Sequence, residues 1–377
     1  MRILVLNWQD GAHPRAGGAE VHLHEIFRRV AARGHSVTLL CSSFPGAHPE
    51  EMRDGIRVLR RGGRFLFNYR VIREYFRVRR GGSFDVVVDD LNKIPFCTPL
   101  YVREPLVGIA HHLFGRSIFR EAGFPSGVYV YLMERLGLAV YRAARTPFLV
   151  VSPSTREEFL RHGFPPKTLG TAYNCVDHDV YNPGGGTKSP TPLLGAMGRL
   201  KRYKSVDHLL TALPLIADAA PNVRLVVVGD GDDRPRLERL AHRLGVSARV
   251  DFTGYVSQQR KVELLRSMWL KVATSAKEGW GLTVLEANAC GTPVLASDVP
   301  GLRDSIRDGE TGVLYRYGDV GELARKAIRL LQDAAERERL AGNALRFARG
   351  FRWDAAAEDT LAFLRRRVGA FSAASDA

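Results

Sequence analysis

Residues 275–297 read S-A-K-E-G-W-G-L-T-V-L-E-A-N-A-C-G-T-P-V-L-A-S, an order that predicts a glycine-rich loop, a short helix and a buried strand. The helix is expected over 283–290, and Gly291 ends it because glycine takes the left-handed conformation that closes many helices. The run that starts at Thr292 is short and apolar, as expected of a buried strand. Loop, helix and strand in this order indicate an α/β fold.

Two carboxylates stand in this stretch, Glu278 in the loop and Glu286 in the first turns of the helix. Most glutamate pairs are solvated surface charges, but here the amides of residues 281–283 lie at the positive end of a helix, where anions bind. Anion-binding amides together with carboxylates that accept hydrogen bonds suit a ligand that is both a diphosphate and a polyol. The stretch therefore predicts a nucleotide-sugar site.

The rest of the chain alternates between strand and helix patterns. A strand, a helix and a second strand over 2–41 predict a βαβ unit. The Pro- and Gly-rich segment 181–192 predicts a linker, after which the alternation starts again. Strands are predicted at 2–7, 36–41, 84–89, 106–110, 148–151, 193–197, 224–229 and 250–253, and helices at 21–32, 206–217, 234–244 and 354–367. Two α/β halves joined by a hinge predict two Rossmann-like domains.

Composition narrows the protein class. The chain has 377 residues, enough for two domains, and a formal net charge of +15 that predicts an anionic partner. Its four cysteines are widely separated, so neither a disulfide framework nor a zinc site is expected. The amino terminus does not resemble a secretory signal, and no run approaches the about 18 apolar residues of a membrane span. A cytoplasmic location is therefore expected.

The 275–297 stretch resembles the E-x7-E motif of glycosyltransferase family 4, which comprises retaining enzymes of the GT-B fold. Gly279, Gly281, the L-E-A segment 285–287 and the C-G-T-P-V segment 290–294 stand where that family has them. The resemblance extends over nearly the whole chain. It implies two Rossmann-like domains that face a central cleft, with a C-terminal helix that crosses back to the first domain. The expected parts are an acceptor-binding domain at 1–180, a hinge at 181–192, a donor-binding domain at 193–350 and the returning helix at 351–377.

The resemblance also assigns site residues. Arg199 and Lys204 match the two cations that hold the donor diphosphate, and charge of this kind stabilises a diphosphate as it leaves. Glu278 is expected to hold the hydroxyls of the transferred sugar, and Glu286 the ribose diol. The family has glycine after the lysine, whereas this chain has Ser205. The remaining donor-binding residues implied by the resemblance are Gly17, Gly18, Gly229, Val256, Gly281, Leu282 and Thr283.

In the first half of the chain, the family places a histidine near the donor sugar at the end of a strand. His111 and His112 are both candidates, and the position of the preceding strand favours His111. Asp89, Asp90 and Asn92 follow an earlier strand in a region that faces the acceptor in the family, although many relatives have histidine there. They are predicted acceptor ligands.

Two alternative motifs are less well supported. Asp230 and Asp232 form a D-x-D pair, but they stand at a strand-to-helix turn where the family has a glycine-rich loop. A dinucleotide-binding fingerprint would need a third glycine where Arg234 stands. We therefore predict no metal site and no cofactor, with the nucleotide sugar as a substrate.

The segment Arg53–Arg80 contains ten arginines and two acids, interleaved with aromatic residues. It predicts an amphipathic helix that binds an anionic membrane or a lipid-linked acceptor, and hence peripheral attachment to the inner membrane face. No nucleic-acid-binding module is recognisable.

These features predict a retaining glycosyltransferase that moves a sugar from a nucleoside diphosphate to the hydroxyl of a lipid-linked or cell-envelope glycan. No covalent nucleophile is apparent, so departure and attack on one face of the sugar are expected, with the diphosphate accepting the proton. The alternatives are a GT-B sugar-nucleotide epimerase, which needs no acceptor, and a non-catalytic glycan- or lipid-binding protein.

Overall fold

A computed structural model describes residues 1–63, 66–120 and 123–375. The chain divides into two compact units. Unit 1 comprises Met1–Asn174 and Trp353–Ala377, and unit 2 comprises Cys175–Arg352. None of the described helices is both long enough and apolar enough to cross a membrane.

Unit 1 is built on a sheet to which eight described strands contribute, in the order β3-β4-β2-β1-β5-β6-β7-β8. All neighbours are parallel except β3 and β4 at one edge. Its central strands are apolar runs buried on both faces, as parallel sheets require. The strands are β1 Arg2–Leu6, β2 Ser36–Ser43, β3 Glu50–Arg53, β4 Ile56–Gly63, β5 Val86–Asp90, β6 Leu106–Ala110, β7 Phe148–Val150 and β8 Leu169–Thr171.

Helices cover this sheet, and four of the described helices lie before residue 175: α1 Gly18–Ala32, α2 Phe67–Arg79, α3 Phe124–Ala143 and α4 Pro153–Arg161. Short 3₁₀ turns occur at Thr98–Leu100, Gly115–Arg120 and Pro166–Thr168. Because β5 and β6 are neighbours and run parallel, their carboxyl ends bring Asp90 and His111 together.

Unit 2 contains a second parallel sheet, in the order β11-β10-β9-β12-β13-β14. β9 and β12 are neighbours although they are distant in sequence, so the loops that follow them meet. The strands are β9 Leu193–Met197, β10 Arg224–Val228, β11 Val250–Gly254, β12 Leu270–Ala273, β13 Val294–Ser297 and β14 Val313–Tyr315. The helices are α5 Val206–Ala219, α6 Arg234–Arg243, α7 Gln258–Ser267, α8 Leu282–Ala289, α9 Leu302–Ser305, α10 Val320–Gln332 and α11 Ala334–Ala348, with 3₁₀ turns at Arg202–Lys204 and Ser247–Arg249.

The last helix, α12 Trp353–Ser375, belongs to unit 1 and packs on α1. Trp353 is buried against the His22 ring, with centroids 5.9 Å apart, and Arg29 is 3.2 Å from Asp354. The predicted linker 181–192 lies within unit 2, where Lys188 donates to the carbonyl of Met268 over 2.8 Å.

The arginine-rich segment was predicted to form one helix, but it does not. It runs through β3, β4 and α2, and only the last of these is helical. Arg60 is buried on β4, 2.5 Å from Asp10 and 2.7 Å from Glu51. These two carboxylates therefore neutralise its charge inside unit 1. Arg64 and Phe65, which the prediction included, lie outside the described residues.

Candidate active site

The loop between β12 and α8 holds Glu278 beside Lys204 in an ion pair. Ser275 donates to the same carboxylate oxygen over 2.6 Å. Both charged side chains are only about a fifth exposed, 20% for Lys204 and 19% for Glu278. Burial alone would raise the pKa of Glu278, but the Lys204 ammonium outweighs burial and lowers it. Glu278 and Lys204 therefore form a partly buried ion pair at this loop.

Lys204 reaches this loop because β9 and β12 are adjacent. It ends the 3₁₀ turn Arg202–Lys204, and the Thr274 hydroxyl donates to its carbonyl over 2.8 Å. Burial works against the charged ammonium, but Glu278 outweighs burial and raises the pKa of Lys204.

Ser205 takes the left-handed conformation, with φ 49° and ψ 39°, directly before α5. The glycine that the family has here would adopt this conformation without strain, since only the Cβ atom opposes it. The serine hydroxyl lies 3.0 Å from the Tyr317 hydroxyl. Ser205 thus takes a conformation that favours glycine, at the position where the family pattern has glycine.

Glu286 is buried in α8 and paired with Lys261 of α7 at 2.6 Å. Lys261 also lies over the Tyr181 ring, 5.3 Å from its centroid. The second carboxylate oxygen of Glu286, Oε2, forms no hydrogen bond to any other described residue. Such an oxygen can accept from a ligand hydroxyl.

The amino terminus of α8 is formed by Gly281, Leu282 and Thr283. Gly281 caps the helix with φ 86°, and an added Cβ atom would lie 3.0 Å from the end of the Leu302 side chain, so glycine is favoured here. The first-turn amides of a helix have no intrahelical partner and attract anions. The helix begins at Leu282 rather than at the predicted Thr283.

Among the other predicted donor residues, Gly229 packs against the loop after β9. Gly229 has φ 123°, and a Cβ atom there would lie 2.1 Å from the Gly198 carbonyl oxygen, so this glycine lets the loop that carries Arg199 pack closely. Arg199 is exposed and Val256 half-buried.

The alternative D-x-D residues are engaged elsewhere. Asp232 lies 2.5 Å from the Lys201 ammonium, and Asp230 accepts from the Gly231 amide over 2.9 Å. Within the described ranges, no group of three or more His, Cys, Asp and Glu side chains is placed to hold a metal ion.

In unit 1, His111 lies 3.0 Å from Asp90, although the geometry does not make a hydrogen bond. Burial disfavours the charged ring, but Asp90 outweighs burial and raises the pKa of His111. The His22 ring packs edge-on at 5.0 Å, and burial, followed by the His111 charge, lowers the pKa of His22 to about 3. His112 instead packs against Phe114, with ring centroids 4.4 Å apart and the ring planes tilted by 57°.

Asp89 accepts hydrogen bonds within unit 1, and its role as an acceptor ligand stays a prediction. It is buried, and one oxygen accepts from the Thr98 and Tyr141 hydroxyls, each at 2.5 Å. Burial raises the pKa of Asp89 to about 6. The Asn92 amide donates to the carbonyl of Asp90 over 2.6 Å. Asp90 is the one of the three that joins a charged cluster with His111.

In the predicted phosphate-binding loop of unit 1, a protein carboxylate already accepts from one backbone amide. The Gly17 amide donates to Glu20 over 2.6 Å, and neither Gly17 nor Gly18 has a positive φ. A Cβ atom on Gly18 would meet nothing within 4 Å. Open space at Gly18 leaves room for a ligand, and the predicted roles of both glycines stay predictions.

Sequence reasoning missed three residues of the unit 2 site, Ser275, Lys261 and Lys271. The first two are bonded to the motif glutamates, and the third is buried on β12. Only Lys271 left a signal in the sequence, as a charge inside the apolar run L-K-V.

Comparison with known proteins agrees with this architecture. Residues 16–180 match the model of Glycosyltransferase Family 4, and residues 181–347 match that of Glycosyl transferases group 1. A D-inositol 3-phosphate glycosyltransferase of Thermomonospora curvata is 36% identical over 223 residues, which are 53% of this chain and 52% of that protein. The chain spans about half the length of the curated relatives that it matches.

Two solved structures superpose over almost the whole chain. Sucrose-phosphate synthase from Thermosynechococcus elongatus has a TM-score of 0.84 at 21% identity, covering 98% of this chain and 99% of its own. Anabaena HepE, in complex with UDP and glucose, has a TM-score of 0.78 at 20% identity, covering 97% and 100%. The predicted fold class is confirmed. The two family matches run without a gap from residue 16 to residue 347, and the chain belongs to the family 4 glycosyltransferases and has their GT-B fold.

Proposed function

We propose that the protein transfers a sugar from a nucleoside diphosphate to an acceptor hydroxyl and retains the anomeric configuration. The observation that carries this proposal is the state of the two motif glutamates. Glu278 and Glu286 are each paired with a lysine, next to the amino terminus of α8. A diphosphate and a polyol need this combination of cations, amides and carboxylates.

Each group has a proposed partner on the donor. Arg199 and Lys204 bind the diphosphate, Glu278 accepts from hydroxyls of the transferred sugar, and Glu286 accepts from the ribose diol through its unpartnered oxygen. Lys204 and Glu278 are bonded to each other, and in this proposal Lys204 leaves Glu278 when it binds the diphosphate. His111 of unit 1 stays a predicted catalytic residue.

The proposed reaction breaks the bond between the anomeric carbon and the diphosphate oxygen. The acceptor oxygen then bonds to that carbon from the same face, and its proton passes to the departing diphosphate. The cations stabilise charge that grows on the diphosphate, which is the largest contribution expected in such a site. We propose that the reaction needs no metal.

A thermal-shift panel of UDP-glucose, GDP-mannose and ADP-glucose tests donor binding, and UDP-glucose comes first because HepE is named with UDP and glucose. A donor at about 100 times its Kd stabilises the fold by about 2.7 kcal/mol. Stabilisation by none of the three contradicts the proposal. Conversion of the donor sugar to its epimer without an acceptor identifies the epimerase alternative, and activity that is lost in EDTA and restored by Mn²⁺ contradicts metal independence.

The acceptor is proposed from a surface of unit 1 that we name the α2–α3 face. Tyr69, Ile72 and Phe76 form a stripe on α2, and Tyr129, Leu132 and Leu136 form another on α3, each at the spacing of a single helix face. The Tyr69 and Tyr129 hydroxyls are in contact, so the stripes adjoin. The exposed apolar members are Leu66, Tyr69, Ile72, Phe76, Phe119, Phe124, Tyr129, Leu132 and Leu136.

Charge on the α2–α3 face has one sign. Along the described lengths of the two helices the acidic side chains, Glu74 and Glu134, are buried, whereas the exposed charged side chains are Arg70, Arg73, Arg77, Arg135 and Arg142. Apolar side chains surrounded by arginine suit an anionic bilayer. We therefore propose peripheral attachment to an anionic membrane and a lipid-linked glycan acceptor.

Co-sedimentation with vesicles tests this attachment, using phosphatidylglycerol or phosphatidylcholine at low and high salt. Binding is expected on the anionic vesicles at low salt, and Leu132→Ser with Leu136→Ser should reduce it. The matched control is Leu215→Ser on α5 of unit 2, because Leu132 and Leu215 are each 52% exposed. Equal binding to both lipids, or to neither, contradicts the membrane proposal.

A soluble phosphorylated acceptor is the second candidate, because the curated relatives are named D-inositol 3-phosphate glycosyltransferases. Release of nucleoside diphosphate from the bound donor is measured with inositol phosphate and with a lipid-linked glycan. Faster release with inositol phosphate alone favours the second candidate.

A further inference from the structure

Lys271 is an almost completely buried lysine, 1% exposed, in the middle of β12. Its neighbours Leu270 and Val272 belong to the apolar core on one face of the sheet. Side chains alternate between the faces of a strand, so Lys271 lies on the opposite face, where α8 packs on β12. Lysine is rarely buried unless a charged partner compensates it.

The charged groups that act on Lys271 are those of the candidate donor site. Glu278 in the loop after β12 and Glu286 in α8 are the anions, and Lys204 in the loop after β9 and Lys261 in α7 are the cations. Each glutamate is already paired with another lysine. Lys271 is therefore a third lysine among two glutamates.

An extra positive charge in a buried site is costly. Burial lowers the pKa of Lys271 to about 8, against the opposing effect of Glu278. The amine is thus mostly protonated at neutral pH and becomes neutral above pH 8.

We propose that Lys271 is a positioning residue of the donor site, which becomes the counter-ion of Glu278 when Lys204 moves to the donor diphosphate. The proposal rests on the proposed function, in which Lys204 and Glu278 must separate. Breaking a buried pair leaves an uncompensated charge, which is strongly unfavourable. The ammonium of Lys271 compensates Glu278 at that moment, and the carboxylate stays aimed at the sugar hydroxyls.

The test compares Lys271→Met, which keeps the length of the side chain and removes the charge, with wild type. Affinity for UDP-glucose, GDP-mannose and ADP-glucose is measured by calorimetry from pH 7 to pH 9. We expect about a tenfold loss of donor affinity in Lys271→Met at pH 7, with a melting temperature equal to or above that of wild type. Wild-type affinity should fall as pH rises through about 8, and the variant should lack this step.

Lys188→Met is the matched control, because Lys188 is also a lysine of unit 2 whose pKa burial lowers to about 8. Its ammonium donates to the Met268 and Gly291 carbonyls and to the Thr292 hydroxyl. This variant should melt earlier and keep the donor affinity and the pH step of wild type.

Unchanged donor affinity in Lys271→Met, or a pH step that persists in it, overturns the role of Lys271 and leaves the proposed function intact. A loss of affinity accompanied by a lower melting temperature and an unchanged pH step also overturns it, since that pattern indicates a structural lysine. If wild type binds none of the three donors, the proposed function fails and the role of Lys271 fails with it.

Discussion

The two motif glutamates occupy different environments, and their substitutions should separate sugar transfer from nucleotide binding. Glu278→Gln should lower turnover and largely preserve nucleotide binding, because its proposed partner is the transferred sugar. Glu286→Ala should weaken binding of the free nucleoside diphosphate, because a hydrogen bond to a charged group is worth about 1.5–3 kcal/mol, roughly ten- to a hundredfold in Kd. Calorimetry with UDP, GDP and ADP measures the second effect. Unchanged nucleotide affinity in Glu286→Ala contradicts the ribose assignment.

Ser205 provides a test of backbone strain. Ser205→Gly relieves the left-handed conformation, whereas Ser205→Ala keeps it and loses the contact with Tyr317. A left-handed residue other than glycine costs roughly 1–2 kcal/mol. Urea unfolding should therefore find the glycine variant about 1 kcal/mol or more above the alanine variant. Equal stability of the two variants would show that the loop relaxes when the hydroxyl is removed.

Asp89 should make stability depend on pH in the acid range. Its pKa is raised from 3.8 to about 6 in the folded protein, so its contribution is fully present below pH 3.8 and is lost as pH rises through about 6. Between pH 4 and pH 7 the free energy of unfolding of Asp89→Asn should rise relative to that of wild type by up to about 3 kcal/mol, taking 1.36 kcal/mol per pKa unit. Urea unfolding at several pH values measures this, with exposed Asp251→Asn as the control. A difference in unfolding free energy between Asp89→Asn and wild type that stays constant across this pH range contradicts the raised pKa of Asp89.

At the scale of elements, most of the parallel strands were predicted from the sequence pattern, whereas the prediction of one helix for the arginine-rich segment was wrong. In β4, Ile56 and Val58 are buried and Arg57 is exposed, which is the period of two expected of a strand. The arginines and aromatic residues of the segment nevertheless led to the prediction of an amphipathic, membrane-binding helix. Composition misled there, because a strand near a sheet edge can carry charge on one side and core on the other.

Apart from Arg199 and Lys204, which the family resemblance supplied, the unit 2 candidate site was predictable mainly where it is local in sequence. The E-x7-E spacing fixes Glu278 and Glu286 on one loop and one helix. Their partners Lys204 and Lys261 depend on which strands and helices are neighbours in unit 2, and the order β9-β12 is a tertiary feature. Asp89 shows a second tertiary effect, since its position at the end of a strand did not reveal that the Thr98 and Tyr141 hydroxyls donate to it.

Helix α12 should be an integral part of unit 1. Trp353→Ala removes a buried ring from the contact with His22 and should destabilise the protein by about 3–5 kcal/mol, the usual range for a large aromatic residue. Urea unfolding measures the loss. The adjacent Arg352→Ala is the control because Arg352 is exposed. Similar stabilities of the two variants would mean that α12 docks without contributing to the fold.

At the scale of the whole molecule, the 55 basic side chains outnumber the 40 acidic ones. Many are neutralised locally, as Arg60 is by Asp10 and Glu51. The excess that remains creates a long-range field that attracts anions before any specific contact forms. Screening weakens this field strongly, because the Debye length falls from about 10 Å at 0.1 M salt to about 3 Å at 1 M.

The net charge of +15 should therefore appear in the kinetics of donor binding. Raising the salt from 0.05 M to 0.5 M should lower the association rate of an anionic nucleotide several-fold, because steering acts on the encounter. The dissociation rate should change less, since it depends on partly buried groups such as Lys204, which salt screens weakly. Stopped-flow measurements with a fluorescent nucleoside diphosphate separate the two rates, and the matching uncharged nucleoside is the control. A salt effect confined to dissociation would place the electrostatic contribution in the bound site alone and contradict steering by the whole molecule.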